Sequence, residues 1–265
     1  MTVNRDGTND RRTERIVIAG REIEYFRLPA RRTGLPVLIF LHEGLGSASL
    51  WRHFPIVLAE LTGCAAIVYS RYGNGFSTPL NGARAPEYMH EEALETLPRL
   101  LHAWRVEDAI LVGHSDGASI ALLCAAGRAS VRALVLEAPH LFVEELSIRS
   151  IVAIRHEYES TSLRERIALF HADGDRTFYG WNDVWQLPEF SSWNIEASAA
   201  RVRVPVLAVQ GADDEYGTNE QIEALARLSK GSVDRAVLAR CGHTPHRDRA
   251  AFVASLAGEW IGERL

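Results

Sequence analysis

Short apolar segments alternate with longer amphipathic ones along most of the chain. Stretches such as "PVLIFLH", "CAAIVYS", "AILVGH", "RALVLEAP" and "VPVLAVQG" are typical of buried strands. Between them, "LWRHFPIVLAEL", "HEEALETLPRLLHAW" and "NEQIEALARLSK" place apolar residues at helical spacing. This alternation predicts an α/β fold with a mostly parallel central sheet and helices on both of its faces.

One region departs from the alternation. Residues 140–200 contain no clear strand, yet they hold three of the six tryptophans, Trp181, Trp185 and Trp193. We interpret this region as a mostly helical insertion over the carboxyl edge of the sheet, where ligands bind in open α/β folds. The expected organisation is a core of residues 1–139 and 201–265, with a helical cap at residues 140–200.

The stretch "AILVGHSDGASIALL" places a serine between an apolar strand and an apolar helix. Gly113 and Gly117 flank Ser115 at two residues on either side, which allows the tight turn of a Gly-x-Ser-x-Gly nucleophile elbow. Such a turn exposes the hydroxyl to a histidine and places the N–H of Asp116 at a helix N-terminus, where it stabilises negative charge. The alternative is a serine with a structural role in an ordinary turn.

Partners for Ser115 follow two later strands in the order Ser, acid, His. Asp214 lies after "VPVLAVQG", and His243 lies after "RAVLAR" in a Gly-His pair. His243 would act as general base, and the acid would hold its imidazole in the required tautomer. His114 is assigned a structural role. Competing candidates remain, and they are Asp213, Glu215 and Glu137 for the acid and His246 for the base.

A glycine-rich segment, "FLHEGLGSASLW", follows an early strand. Glycine lets backbone N–H groups approach a substrate, so Leu45 and Asp116 are the predicted oxyanion-hole donors. The alternative is a plain glycine-rich turn that leads into a helix. Aromatic residues of the cap are expected to shape an acyl pocket over the serine. The predicted pocket residues are His42, Gly44, Tyr179, Trp181 and Trp185.

Together, "LHEGLGS", "GHSDG", "GADDEYGT" and "CGHTPH" resemble the α/β-hydrolase superfamily, in its small cytosolic members with a helical cap. The resemblance extends from about Arg15 to the end of the chain. It implies Ser115 as nucleophile, Asp214 as acid and His243 as base, in hydrolysis of an ester, thioester or related acyl bond without metal or cofactor. Two positions depart from the family pattern. Glu43 separates His42 from Gly44, and the carboxylate of Asp116 is expected to disfavour anionic substrates.

The composition limits the classes of partner that the protein is expected to bind. A formal net charge of −5 offers no basic surface for nucleic acid. No apolar run approaches the roughly 20 residues needed to cross a bilayer, and the first residues are polar. Cys64, Cys124 and Cys241 are too far apart for a disulfide framework or a metal cluster. We therefore expect a cytoplasmic protein that acts on a small-molecule acyl substrate, with a homodimer as the candidate assembly.

Other functional classes fit less well. "LHEGLGSAS" approaches a dinucleotide-binding glycine motif, but its third small position is Ser49 and no lysine lies nearby, since Lys230 is the only one. "HADGDRTFYGWND" contains potential metal ligands without the spacing of a known site. A hydrolase-like receptor would not need all three catalytic groups. Acyl transfer, lyase and cofactor-free oxygenase chemistry use the same scaffold and remain alternatives.

Overall fold

The computed structural model describes residues 12–127 and 130–265. An eight-stranded sheet forms its centre, in the order β1-β2-β4-β3-β5-β6-β7-β8. The two pairs that involve β2 are antiparallel, and the remaining strands run parallel, as predicted. The strands are β1 Glu14–Ile18, β2 Arg21–Leu28, β3 Val37–Leu41, β4 Ala66–Tyr69, β5 Ala109–His114, β6 Val131–Glu137, β7 Val206–Gly211 and β8 Val233–Leu238.

Helices cover both faces of the sheet. They are α1 Phe54–Thr62, α2 Tyr88–Glu91, α3 Leu97–Ala103, α4 Asp116–Ala125, α5 Glu145–Ser160, α6 Leu163–Ala168, α7 Gly174–Trp185, α8 Glu196–Ala199, α9 Glu220–Leu228, α10 Pro245–Asp248 and α11 Ala250–Gly262. Within the described residues, no helix combines the length and apolar character that crossing a bilayer requires.

Alternate residues of each central strand enter two separate cores. In β3, Leu38 and Phe40 pack with α1 and α11, whereas Ile39 and Leu41 pack with α3, α4 and α9. All four side chains are fully buried. A strand that is apolar on both faces requires a cover on each side, which explains why these strands carry continuous apolar runs instead of an alternating pattern.

The segment between β6 and β7 is helical and lies over the carboxyl ends of the strands. It contains α5 to α8, and the one bridge found in the described part of this segment joins Phe142 to Asn194. Thr177 donates its hydroxyl hydrogen to the carbonyl of Gly73, after β4, at 2.7 Å. The rings of Tyr158 and Phe178 stack at 3.6 Å between α5 and α7. The division at residues 140–200 into a separate cap stays a prediction.

Two predicted helices are less regular than their sequences indicate. A 3₁₀ turn, Ala48–Trp51, overlaps the first two residues of "LWRHFPIVLAEL", and α1 starts only at Phe54. In "HEEALETLPRLLHAW" a wider π turn, Glu92–Thr96, separates α2 from α3. Pro98, near the start of α3, has no amide hydrogen to donate, so the regular α-helical bonding pattern is interrupted there.

The end of β7 packs tightly against the loop that carries His243. A Cβ atom at Gly211 would lie 2.2 Å from the carbonyl oxygen of Gly242. We therefore expect Gly211→Ala to lower the free energy of unfolding by about 1–3 kcal/mol, because one of the two backbones must move. Urea denaturation measures this change. Gly262→Ala, at a position with no heavy atom within 4 Å of the added carbon, should leave stability nearly unchanged. Equal stability of both variants would contradict the tight packing.

Candidate active site

Ser115 occupies the turn between β5 and α4 in a backbone conformation that only a tightly constrained residue adopts. Its φ is 53° and its ψ is −120°, a region that is unfavourable for side chains with a Cβ atom. The N–H of Ser115 donates to the carbonyl of Glu137 on β6 at 2.9 Å, and its own carbonyl accepts from Ala118 at 2.8 Å. These bonds hold the strained turn in place.

The two glycines that flank the serine are required by close backbone approach. A Cβ atom at Gly117 would lie 2.0 Å from the carbonyl oxygen of Leu41, at the end of β3. A Cβ atom at Gly113 would lie 2.5 Å from the carbonyl oxygen of Gly117. The first turn of α4 therefore packs directly on two strands, in the geometry of a strand-turn-helix elbow.

His243 lies between Ser115 and Asp214. Its Nε2 atom is 2.9 Å from Oγ of Ser115, and its Nδ1 atom is 2.9 Å from each carboxylate oxygen of Asp214. An ionised carboxylate only accepts hydrogen bonds, so Nδ1 carries the hydrogen. Nε2 of the neutral ring is then free to accept the hydroxyl hydrogen of Ser115. The structure thus brings together all three residues that the sequence singled out.

Asp214 is held by several donors besides His243. Gln210 donates its side-chain amide at 2.7 Å, and the backbone N–H groups of Tyr216 and Gly217 donate at 2.7 and 3.3 Å. Burial alone would raise the pKa of Asp214. The hydrogen bond and charge of His243, together with the Tyr216 N–H, outweigh burial and lower that pKa below its ordinary value. Asp214 is therefore ionised at neutral pH.

The competing residues lie elsewhere. Glu137 and His246 pair with each other, with a carboxylate oxygen 2.9 Å from Nδ1 of the imidazole, and both side chains are buried. Asp213 and Glu215 are exposed, and Glu215 reaches only the backbone N–H of His243, at 3.3 Å. Among the described residues, no hydrogen bond links any of these four side chains to the hydroxyl of Ser115.

Buried polar side chains of the segment after β4 hold the glycine-rich loop after β3 through hydrogen bonds. Arg71 donates to the carbonyl of Glu43 at 2.8 Å, and Asn74 donates to the carbonyls of Gly44 and Gly46 at 2.9 and 3.1 Å. These bonds engage the loop carbonyls and leave the opposite side of the loop to the pocket. In residues 12–127 and 130–265, no hydrogen bond uses the backbone N–H of Leu45.

Asp116 borders the same pocket from the start of α4. Its carboxylate accepts the hydroxyl hydrogen of Tyr88 at 2.6 Å and lies 3.7 Å from the guanidinium of Arg71. The backbone N–H of Asp116 has no hydrogen-bond acceptor in the described part of the chain. Leu45 and Asp116 thus both line the pocket that contains Ser115, and each has an unused backbone donor.

A cavity of about 160 Å³ opens beside Ser115. Trp181 and Trp185 of α7 both line it, since residues four positions apart lie on one helix face. The remaining lining residues are Glu43, Gly44, Leu45, Ser115, Asp116, His140, Ser147, Ile151, Ile154, Tyr216 and His243.

Two residues predicted for this pocket lie outside it. Tyr179 is two positions from Trp181, so it points to another side of α7, where its hydroxyl lies 3.4 Å from Glu159. His42 is fully buried beneath the glycine-rich loop, and its Nε2 accepts the N–H of Arg71 at 3.0 Å. Burial lowers the pKa of His42 well below its ordinary value, so this ring is a neutral structural acceptor.

His140, which the sequence analysis did not single out, borders the pocket next to His243. Burial, reinforced by the charge of His243, lowers the pKa of His140 to about 3, so its ring is neutral at ordinary pH. Ser119 of α4 holds its backbone, donating to the carbonyl at 2.7 Å and accepting the N–H at 3.1 Å. The available signal was its position three residues after the end of β6, at the sheet edge that carries Ser115.

Glu43 and His114 form a third carboxylate-imidazole pair, next to the backbone of His243. Nε2 of His114 is 2.7 Å from the carbonyl oxygen of His243, and Nδ1 is 3.5 Å from the carboxylate of Glu43. The carbonyl of His243 accepts, so Nε2 carries a hydrogen, and the carboxylate near Nδ1 favours the charged form of the ring. Burial opposes that charge, but Glu43, with Glu137 and the His243 carbonyl, raises the pKa of His114. Glu43 thus ties the glycine-rich loop to the loop of His243.

The chain belongs to the alpha/beta hydrolase family, whose sequence model matches residues 38–256. It is also similar to a protein of Mycoplasma pneumoniae named "Putative esterase/lipase 2". The two are 27% identical over 248 residues, which cover 86% of this chain and 88% of the relative. Membership of this family makes the protein a hydrolase by class.

Solved structures share the fold at low sequence identity. The 2-hydroxy-6-oxo-6-phenylhexa-2,4-dienoate hydrolase of Rhodococcus sp. strain RHA1 superimposes with a TM-score of 0.78 at 16% identity, covering 96% of this chain and 99% of that one. A thioesterase domain from the curacin biosynthetic pathway gives a TM-score of 0.64 at 20% identity, with coverages of 94% and 99%. These similarities establish the α/β-hydrolase fold.

The Glu43–His114 pair makes stability depend on pH. Glu43→Gln should lower the free energy of unfolding by about 1–2 kcal/mol, a modest loss because Glu43 is partly exposed. Burial alone would raise the pKa of Glu43, but the hydrogen bond and charge of His114 hold it well below its ordinary value of 4.5. The carboxylate therefore stabilises above about pH 4.5, and this contribution is lost as the pH falls. The contribution of His114 is complete below its ordinary pKa of 6.5 and is lost as the pH rises through its raised pKa.

The stability difference between wild type and Glu43→Gln should therefore be largest between pH 4.5 and 6.5 and should decrease towards higher pH. Urea denaturation at a series of pH values measures it. Glu60→Gln, which removes an exposed carboxylate paired with Arg31, serves as the control and should change stability by less than about 0.5 kcal/mol. A difference for Glu43→Gln that increases above pH 7 would contradict the charged pair.

Proposed function

We propose that the protein is a serine hydrolase that cleaves an ester or thioester of a small, uncharged acyl group through an acyl-enzyme. The observation that carries this proposal is the position of His243, with Nε2 2.9 Å from Oγ of Ser115 and Nδ1 2.9 Å from the carboxylate of Asp214. A hydroxyl becomes an effective nucleophile when an adjacent base removes its proton and a third group orients that base.

In the acylation half, Oγ of Ser115 attacks the substrate carbonyl carbon while its proton passes to Nε2 of His243. The carbonyl π electrons move to the oxygen, and the backbone N–H groups of Leu45 and Asp116 stabilise the resulting oxyanion. Asp214, ionised at neutral pH, stabilises the imidazolium. The carbonyl then re-forms, the bond to the leaving group breaks, and His243 gives its proton to the departing alcohol or thiol.

Deacylation repeats these steps with water. His243 takes a proton from a water molecule while the water oxygen attacks the acyl carbon. The same two N–H groups stabilise the second oxyanion. Collapse of this intermediate breaks the bond to Oγ of Ser115, which recovers its proton from the imidazolium. The products are a carboxylic acid and the regenerated hydroxyl.

The volume and the lining of the pocket support the proposal of a small, uncharged acyl group. A cavity of about 160 Å³ is close in size to one that holds a benzene molecule, about 150 Å³. Its walls are mostly apolar, with Trp181, Trp185 and Ile151 among them. The charged side chains among its lining residues, Glu43 and Asp116, are both acidic, so an anionic acyl group is disfavoured. The name of the Mycoplasma relative, an esterase or lipase, is in keeping with this substrate class.

Removal of the proposed nucleophile tests the reaction. Ser115→Ala should lower kcat/KM for p-nitrophenyl acetate by roughly four to six orders of magnitude, because no oxygen remains to form the acyl-enzyme. A fluorophosphonate probe should label the wild type and fail to label this variant. Ser191→Ala, at an exposed position, is the control and should keep full activity and labelling. Unchanged turnover by correctly folded Ser115→Ala would exclude the proposed mechanism.

Pocket size predicts acyl-chain selectivity. The wild type should hydrolyse acetyl and butyryl esters faster than octanoyl esters, because the cavity cannot hold the longer chain. Trp181→Ala should raise kcat/KM for the octanoyl ester relative to the acetyl ester by about tenfold, because it removes one wall. Tyr179→Ala, which shortens an aromatic side chain of the same helix outside the pocket, should leave the ratio unchanged. If both variants shifted the ratio equally, Trp181 would not limit the chain length.

A further inference from the structure

A second cavity, of about 200 Å³, lies behind the wall of the serine pocket. Tyr88 separates the two, since it lines the second cavity and donates its hydroxyl hydrogen to Asp116, which lines the first. The opening is formed by the largely exposed residues 81–85 between β4 and α2. We name this space the arginine cavity, after its lining residues Arg21, Arg71 and Arg84.

Two of these arginines have unused donors. Nε of Arg71 and Nε of Arg84 are both buried, and neither has a hydrogen-bond partner among the described residues. Arg71 is only 2% exposed, so bulk water does not solvate its guanidinium. A buried N–H without an acceptor costs about 1–3 kcal/mol, and more when the donor is charged. Both side chains line the same cavity, which points to an acceptor that enters it from outside the chain.

The balance of charge favours an anion as that acceptor. Burial and the neighbouring charge of Arg71 lower the pKa of Arg84 to about 10, so the two guanidinium groups repel each other. The guanidinium of Arg21 adds a third positive charge, 3.9 Å above the ring of Tyr72. The opposing acids that line the cavity are Glu91, which is exposed like Arg21, and Glu92.

Glu92 is a weak counter-charge. Burial raises its pKa against the opposing charge of Arg71, and its Oε1 atom already accepts the hydroxyl hydrogen of Tyr69 at 2.8 Å. On the other side, the carboxylate of Asp116 lies 3.7 Å from Arg71, at the serine pocket. The cavity therefore retains more positive than negative charge along its walls.

We propose that the arginine cavity binds the carboxylate of a small organic acid with an apolar body about the size of a benzene ring. Guanidinium N–H groups form strong, charge-assisted hydrogen bonds with carboxylate and phosphate oxygens. Leu80 and the ring of Tyr88 provide apolar wall for the body of the acid. A cavity of about 150 Å³ holds benzene, so 200 Å³ accommodates a benzoate-sized anion. The site is separate from Ser115 and does not depend on the proposed hydrolysis.

Binding of the acid would stabilise the glycine-rich loop, which carries the proposed oxyanion donor Leu45. Arg71 donates to the carbonyl of Glu43 at 2.8 Å, and Arg84 donates to Asn74 at 2.8 Å, which in turn donates to the carbonyl of Gly44. Both arginines thus contact the arginine cavity on one side and support the glycine-rich loop on the other. An anion that fixes the two guanidinium groups also fixes the backbone beside Leu45.

Direct titration of Ser115→Ala tests the site without interference from turnover. Sodium benzoate, added at constant ionic strength against sodium chloride, should give saturable binding to one site with a Kd of about 1 mM by calorimetry. Adding Arg84→Gln should weaken binding by about tenfold, and adding Arg21→Gln should weaken it less. Arg99→Gln, which removes an exposed guanidinium on α3, is the matched control and should leave the Kd unchanged.

A second measurement locates the anion. Crystals soaked with 4-bromobenzoate should show anomalous scattering from bromine in the arginine cavity, and acetate should bind more weakly than benzoate because it has no apolar ring. The proposal is overturned if benzoate shows no saturable binding, or if Arg84→Gln and Arg21→Gln both retain the original Kd. Bromine found only beside Ser115 would overturn it as well. Inorganic phosphate that binds as tightly as benzoate would overturn the choice of an aromatic-sized carboxylate.

Discussion

The contact of the first turn of α4 with the carboxyl end of β3 is the constraint on which the site depends. Gly117 lies so close to the carbonyl of Leu41 that no side chain fits between them. This contact fixes the left-handed backbone of Ser115, and that backbone directs its hydroxyl towards the loops that follow β7 and β8. In a parallel sheet all carboxyl ends meet at one edge, so residues about 100 positions apart in the chain become neighbours.

Three pairs of a carboxylate and an imidazole lie at this edge, and their surroundings distinguish them. His243 of the Asp214–His243 pair reaches the hydroxyl of Ser115, whereas Glu137 and His246 are buried and hydrogen-bonded to each other. Glu43 and His114 form the third pair, in which the imidazole lies between a carboxylate and the carbonyl of His243. Only the first pair has a ring nitrogen facing a hydroxyl, so proton transfer is available there and structural support is available at the other two.

The sequence predicted the elements that follow local rules. Gly113, Ser115 and Gly117 define the elbow because the turn tolerates little else, and the strand ends placed Asp214 and His243 in one region. Side-chain direction was harder to predict. Tyr179 and Trp181 are equally aromatic, and only the start of α7 at Gly174 decides which of them faces the pocket. His140 and the arginine cavity depend on packing between distant segments, for which a single sequence carries no periodic signal.

The hydrogen bonds of Ser119 couple the position of α4 to that of His140. Ser119 lies one turn along α4 from Ser115. Its hydroxyl donates a hydrogen bond to the carbonyl of His140 and accepts one from the N–H of His140. The ring of His140 in turn lies 5.7 Å from that of His243. Thermal displacement of the helix therefore carries the hydroxyl and the surroundings of the imidazole in the same direction.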